Sequence, residues 1–211
     1  MKKAIFIAAG MSILLGFTSC KSDGSEAENE VVENNTPACF YSYNEGSTNF
    51  EWTAFKTTAK VGVAGGFNEI EVVSESSDDP MAVLKSMSFT MNTASVETNN
   101  EDRNLKVATH FFETINTSEI IGNVISIDEE TGKCIIKINM NAMSVDVEGD
   151  YTFEDNKFTF DTMIDVAAWN GIAGIDALNE ICKDLHTGED GVSKLWSEVQ
   201  LSFSTTLKSD C

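Results

Sequence analysis

The chain has 211 residues, with 34 Asp+Glu against 14 Lys+Arg and a formal net charge of −20. Such a charge repels phosphate backbones and excludes nucleic-acid partners, because no counterion-release gain is on offer. A hydrophobic content of 42% with 9% aromatics is too rich for a disordered acidic chain and sufficient for one buried core.

In chain order the first signal is a targeting segment. Lys2 and Lys3 precede an apolar run of 14 residues, Ala4 to Phe17. That is shorter than the roughly 20 residues a membrane-spanning helix needs, and it suits a secretory h-region. The run closes as Leu15-Gly16-Phe17-Thr18-Ser19-Cys20, which resembles a bacterial lipobox. Residues 1–19 are therefore read as a lipoprotein signal peptide and Cys20 as the lipidation site. Residues 20–37 are acidic and carry no aromatic side chain, so they cannot offset the entropy of ordering. They read as a tether with a reach of about 20–25 Å. These features place the protein in the cell envelope, anchored to a membrane by its acyl chains, with residues 38–211 as a domain in the periplasm or at the cell surface.

From residue 38 onward the pattern is mostly that of strands. Phe50–Ala54 and Met87–Met91 alternate apolar and polar residues, as a half-buried strand does. Ile136, Ile138 and Met140 repeat the alternation, followed by Met143, Val145 and Val147. Tyr151 and Phe153 lead through the polar turn Glu154-Asp155-Asn156-Lys157 into Phe158 and Phe160, a hairpin. Residues 128–132 form a second turn, and Val199, Leu201, Phe203, Thr205 and Leu207 share one face of a last strand. The glycine-rich run Gly62–Gly66 is followed by a strand pattern, not a helix. It reads as a bend or bulge in a strand, not a phosphate cradle.

Two segments depart from this alternation. Asp102–Phe112 fits a short helix with Leu105, Ala108 and Phe112 on one side. Gly171–His186 is more clearly helical, because Ile175, Leu178, Cys182 and Leu185 recur at spacings of three and four. Gly188 follows as a C-cap. About eight antiparallel strands with one apolar face each are satisfied by a closed β-barrel.

Catalytic constellations are thin. His110 and His186 are the only histidines, and neither sits at metal-ligand spacing to another ligand. No nucleophile elbow, P-loop or zinc-protease motif occurs. The acidic run Ser76-Ser77-Asp78-Asp79 lacks the spacing of an EF-hand and reads as a solvated loop. No cofactor, metal or enzymatic activity is expected.

Phe50-Glu51-Trp52-Thr53-Ala54-Phe55-Lys56, then Val61 through Gly66-Phe67-Asn68, resembles the opening strands of the YceI-like lipid/polyisoprenoid-binding proteins. Met91–Asn100 is similar to their strand ending in a Ser-(Val/Ile)-x-Thr-x-Asn turn, and Leu105-Lys106 and Phe111-Phe112 to the helix that follows. The sequence departs from that pattern at Glu101-Asp102-Arg103, where the arginine stands one place late, and one residue is inserted before Phe111. The resemblance implies an all-β, eight-stranded antiparallel, lipocalin-like barrel. Its elongated interior would hold a polyisoprenoid or fatty-acyl chain as ligand. The helix at 171–186 is an insertion before the last strand, either capping the mouth or packing outside.

Alternation assigns Phe50, Trp52, Phe89, Met91, Ile136, Ile138, Met140, Phe158, Phe160, Leu201 and Phe203 to the inward face as candidate cavity lining. The same set would equally fill a small barrel with its own side chains. Two functional classes follow: a membrane-anchored lipid carrier or sequestering lipoprotein, or a non-enzymatic structural or interaction lipoprotein with a filled core. The partner of a displayed surface is not legible in the sequence.

Four cysteines remain beyond Cys20: Cys39, Cys134, Cys182 and Cys211. Export to an oxidising compartment favours two disulfides, with three possible connectivities. In a closed barrel with an even strand number, the first and last strands pair antiparallel. Cys39 before the first strand should therefore meet Cys211 after the last, leaving Cys134 for Cys182.

Overall fold

Hairpin chemistry sets the register of the sheet. The computed structural model describes residues 39–211, so the signal peptide, Cys20 and the tether lie outside the described residues. Strand β9 (Met143–Glu154) turns into β10 (Lys157–Asp165) through Asp155 and Asn156, whose φ angles are +51° and +62°. Asp and Asn tolerate this left-handed region, and the resulting twist matches that of the flanking strands. The turn is tighter than the four residues expected, because Glu154 and Lys157 already pair across it. Asn141 and Ala142 make the same kind of turn from β8 (Lys133–Met140) into β9.

Eleven strands form one sheet in which every pair is antiparallel. From β4 (Ile70–Val73) the hydrogen-bonded path runs through β5 (Ser88–Asn92), β7 (Glu119–Asp128), β8, β9, β10, β11 (Leu195–Asp210), β2 (Asn49–Lys56) and β3 (Val61–Phe67). Only Asn68 and Glu69 separate β3 from β4, so the two ends of the path are one interrupted strand. Counted that way, the eight antiparallel strands expected are present and the sheet curls back on itself. Two short strands supplement them: β6 (Val96–Glu97) pairs antiparallel with β3, and β1 (Phe40–Tyr43) pairs with the far end of β11.

The glycines at 62–66 do not make a bulge. The β2–β3 register runs unbroken from Trp52↔Gly65 to Lys56↔Val61. Close approach is the reason for glycine here: a Cβ on Gly65 would stand 2.3 Å from the Trp52 ring.

Register also explains the disulfide. Phe40 lies opposite Asp210, so Cys39 and Cys211 face each other one step further on and are bonded. The expected Cys134–Cys182 bond is not made, and both thiols are free and buried. Cys134 begins β8 beside Ile127 and Gly149, whereas Cys182 ends a helix over the opposite end of the barrel, where β8 finishes at Met140. Six residues of strand separate those ends by about 20 Å, against the 7 Å that a disulfide tolerates between Cα atoms.

Among the described residues, four α-helices decorate the sheet. Helix α1 (Pro80–Lys85) follows directly on the acidic run 76–79; Asp79 caps it by accepting from Met81 N–H at 2.9 Å. Proline at the first helical position and a capping Asp before it are a recognisable start signal. Helix α2 (Glu101–Val107) is followed by a π-type turn over Ala108–Glu113. Such turns absorb one extra residue, as the insertion before Phe111 requires. The inserted helix is broken at Cys182 into α3 (Ile172–Ile181) and α4 (Lys183–His186). Gly188 is not its cap. The chain leaves α4 through an extended Thr187, and the left-handed glycine is Gly191, with φ +76°.

Candidate functional site: an apolar cavity beneath the inserted helix

The core is divided along the barrel axis. At the end where β8 begins, aromatic rings fill the interior: Phe89 stacks on Phe203 with ring centroids 5.8 Å apart, Phe203 meets Phe158 edge-on at 6.3 Å, and Phe158 stacks on Tyr151 at 5.8 Å. Glycines in the wall seat Phe89 and the neighbouring Phe160. A Cβ on Gly122 would lie 1.8 Å from the Phe89 ring, and one on Gly149 would lie 2.5 Å from Phe160. This half is a packed floor.

At the other end the interior is open. A cavity of about 260 Å³ lies between the barrel wall and the helices α2, α3 and α4. Its wall comes from Phe50, Trp52, Met140, Val199 and Leu201 on the strands, with Phe111 and Phe112 from the π-type turn. The roof is the inserted helix: Ile175, Leu178, Cys182 and Leu185 all line the cavity, so the segment covers the mouth. Phe50, Phe67 and Phe112 form a ladder of rings 5.9 Å apart along one side.

The family-like motif positions α2. Thr98 donates through its backbone N–H (2.8 Å) and hydroxyl (2.6 Å) to Asn104 Oδ1, and Asn104 Nδ2 donates to Glu97 Oε1 at 3.1 Å. Asn100 caps the helix by accepting from Arg103 N–H at 2.9 Å. These bonds fix the helix face that carries Arg103 and Lys106 to the cavity. Trp169 pins the start of the insertion, donating from Nε1 to the Ile138 carbonyl at 3.0 Å.

The mouth is polar. Lys56, Asn100, Asp102, Arg103, Lys106 and His186 border it. His186 Nδ1 hydrogen-bonds Asn179 Oδ1 at 2.9 Å, and burial, with Lys56 nearby, lowers the imidazole's proton affinity. Burial raises the Cys182 thiol, opposed in part by the charges of Lys106, Lys56 and Arg103. Burial alone pushes Cys134 up to about 12. No cluster of three His, Cys, Asp or Glu side chains suited to a metal occurs among the described residues.

Of the eleven residues assigned inward by alternation, Phe50, Trp52, Met140 and Leu201 line the cavity. Phe89, Met91, Ile136, Ile138, Phe158, Phe160 and Phe203 point inward and are buried, but in the packed core outside the cavity. Alternation reports the face of a strand and carries no information on height along the barrel. The helical contributors Ile175, Leu178, Cys182 and Leu185 were visible as an apolar stripe, whereas the polar mouth had no sequence signal.

An antiparallel sheet wrapped around an apolar cavity and roofed by a helix defines a lipocalin-like barrel protein. The YceI-like domain model matches residues 41–207, and the chain belongs to that family. It is similar in fold to a polyisoprenoid binding domain from Saccharophagus degradans implicated in plant cell wall breakdown. That likeness has 13% identity and a TM-score of 0.58, over 81% of this chain and 98% of that one. It is also similar to Burkholderia cenocepacia BcnA, with 16% identity and a TM-score of 0.53, over 79% of this chain and 99% of the other. No curated protein matches the chain.

Proposed function

We propose that the protein is a non-enzymatic envelope lipoprotein that holds a lipid chain of polyisoprenoid or acyl type in the cavity beneath α3. It would act as a carrier or a sequestering protein, anchored to a membrane through Cys20. The observation that carries this reading is the cavity itself: an apolar interior left unfilled in a barrel whose other half is packed with rings. Each methylene moved from water into such a space contributes about 0.8 kcal/mol, so a hydrocarbon chain binds there without many polar contacts. Membership of the YceI-like family and the fold shared with a polyisoprenoid binding domain support the same reading.

The filled half of the core is what a purely structural barrel would show throughout, and the open half favours the carrier. Met140→Trp, which fills cavity space without charge, separates the two. The carrier reading expects the variant to fold and to lose most of its copurifying lipid. Unchanged lipid content in a folded variant contradicts binding in this cavity. The anchor is tested separately by Cys20→Ala, which should move the protein from the detergent phase to the aqueous phase.

A further inference from the structure

The charges at the cavity mouth run against the composition of the chain. Acids outnumber bases 34 to 14 in the sequence, yet Lys56, Arg103 and Lys106 line the cavity against a single acid, Asp102. That acid is already engaged, accepting from Lys106 Nζ at 2.6 Å. Lys56 Nζ donates only to a backbone carbonyl, that of Leu185, at 3.1 Å. Arg103 forms no ion pair among the described residues, and the Asn100 bond there is made by its backbone N–H, not its guanidinium. Lys56, Arg103 and Lys106 line the same cavity as Cys182, together with Asp102.

The cavity also has a fixed depth. Phe89 is recessed into the wall at Gly122 and Phe160 at Gly149, so the ring floor is seated and closes the far half of the barrel. The remaining 260 Å³ falls just below the range of small-molecule pockets, about 300–1,000 Å³. A long polyisoprenoid needs the space that the rings occupy.

We infer that this cavity takes a single-chain amphiphile of fatty-acid length with an anionic head. The tail lies along the apolar lining of Phe50, Trp52, Met140 and Leu201, and a carboxylate or phosphate is held at the mouth between Arg103 and Lys56. An ionised acceptor beside a guanidinium and an ammonium group makes charge-assisted hydrogen bonds, about twice as strong as neutral ones. The inference rests on the lipid-binding reading above and narrows it.

Residues 37–211 form a compact unit of their own, so that unit is titrated with four probes after delipidation: laurate, monododecyl phosphate, lauryl alcohol and undecaprenyl phosphate. Tryptophan fluorescence and calorimetry report binding. Laurate or monododecyl phosphate, whichever source of the anion is preferred, should bind at least about tenfold more tightly than lauryl alcohol. Arg103→Gln and Lys56→Met should weaken binding of the anion by at least about tenfold and erase its preference over lauryl alcohol. Equal affinity for alcohol and anion, or stoichiometric undecaprenyl phosphate bound more tightly than laurate, overturns the inference and leaves lipid binding standing. Failure of all four probes to bind overturns both.

Discussion

Gly174 of α3 lies against Phe111 so closely that a Cβ there would stand 2.7 Å from the ring. Ile115 and the Phe111 carbonyl are each 3.0 Å from the same point. This contact sets how low the roof helix sits over the cavity, since Phe111 itself lines the space below. Gly174→Val should therefore lift α3. We expect a loss of about 1–3 kcal/mol, as for overpacking in general, together with faster release of bound lipid. Thermal melting and lipid dissociation kinetics read the two effects, and a variant that retains lipid like the wild type would show that the roof does not gate the cavity.

The floor makes a coupled prediction. Gly122→Ala places a methyl group where the Phe89 ring now stands, and should cost about 1–3 kcal/mol. In a Phe89→Ala background the same methyl has room, so its cost should shrink by about 1 kcal/mol or more. A denaturant double-mutant cycle measures the coupling. Additive costs would mean that the glycine is not there to seat the ring.

Thiol chemistry should sort the four described cysteines into two kinds. Non-reducing peptide mapping should find Cys39 joined to Cys211 and no bond between Cys134 and Cys182. Alkylation of the folded protein should leave Cys134 untouched, because burial holds its thiol protonated at neutral pH. Removing the Cys39–Cys211 bond opens a loop with a sequence separation of 172, worth about 5 kcal/mol in the chain-entropy model. A Cys39→Ser variant with an unaltered melting temperature would contradict the seam's role.

His186 predicts a pH dependence with a definite sign. Its folded-state pKa lies below the ordinary 6.5, chiefly through burial and then through Lys56. The unfolded chain therefore binds the proton first as pH falls. The contribution of neutral His186 is present above pH 6.5 and is lost as pH drops through the lower folded value. Melting temperature should decline on acidification below about pH 6.5, and His186→Gln should flatten that part of the profile. An identical profile in the variant would assign the acid sensitivity elsewhere.

Much of the architecture could be read from alternation. Strands carrying Phe50, Ile136, Phe158 and Leu201 lie where the two-residue period put them, and the stripe Ile175–Leu178–Cys182 faces the barrel. The short strands β1, β4 and β6 were missed, being at most four residues long. The division of the inward face into floor and cavity was also beyond reach. Phe203 and Leu201 share a face and differ only in height, and that height acquires meaning from Phe89 and Phe158, distant in sequence. The mouth is a product of the tertiary fold for the same reason, since Lys56 and Arg103 come from separate elements. The Cys134–Cys182 pairing was reached by elimination, and elimination ignores that opposite ends of a barrel cannot meet.

Native mass spectrometry of the Pro37–Cys211 unit, purified without detergent, tests the central claim most directly. The account predicts a protein peak accompanied by a stoichiometric adduct of lipid mass, released on organic extraction and absent from folded Met140→Trp. A single peak at the mass of the polypeptide, in a protein that also fails to take up any added lipid, would contradict it.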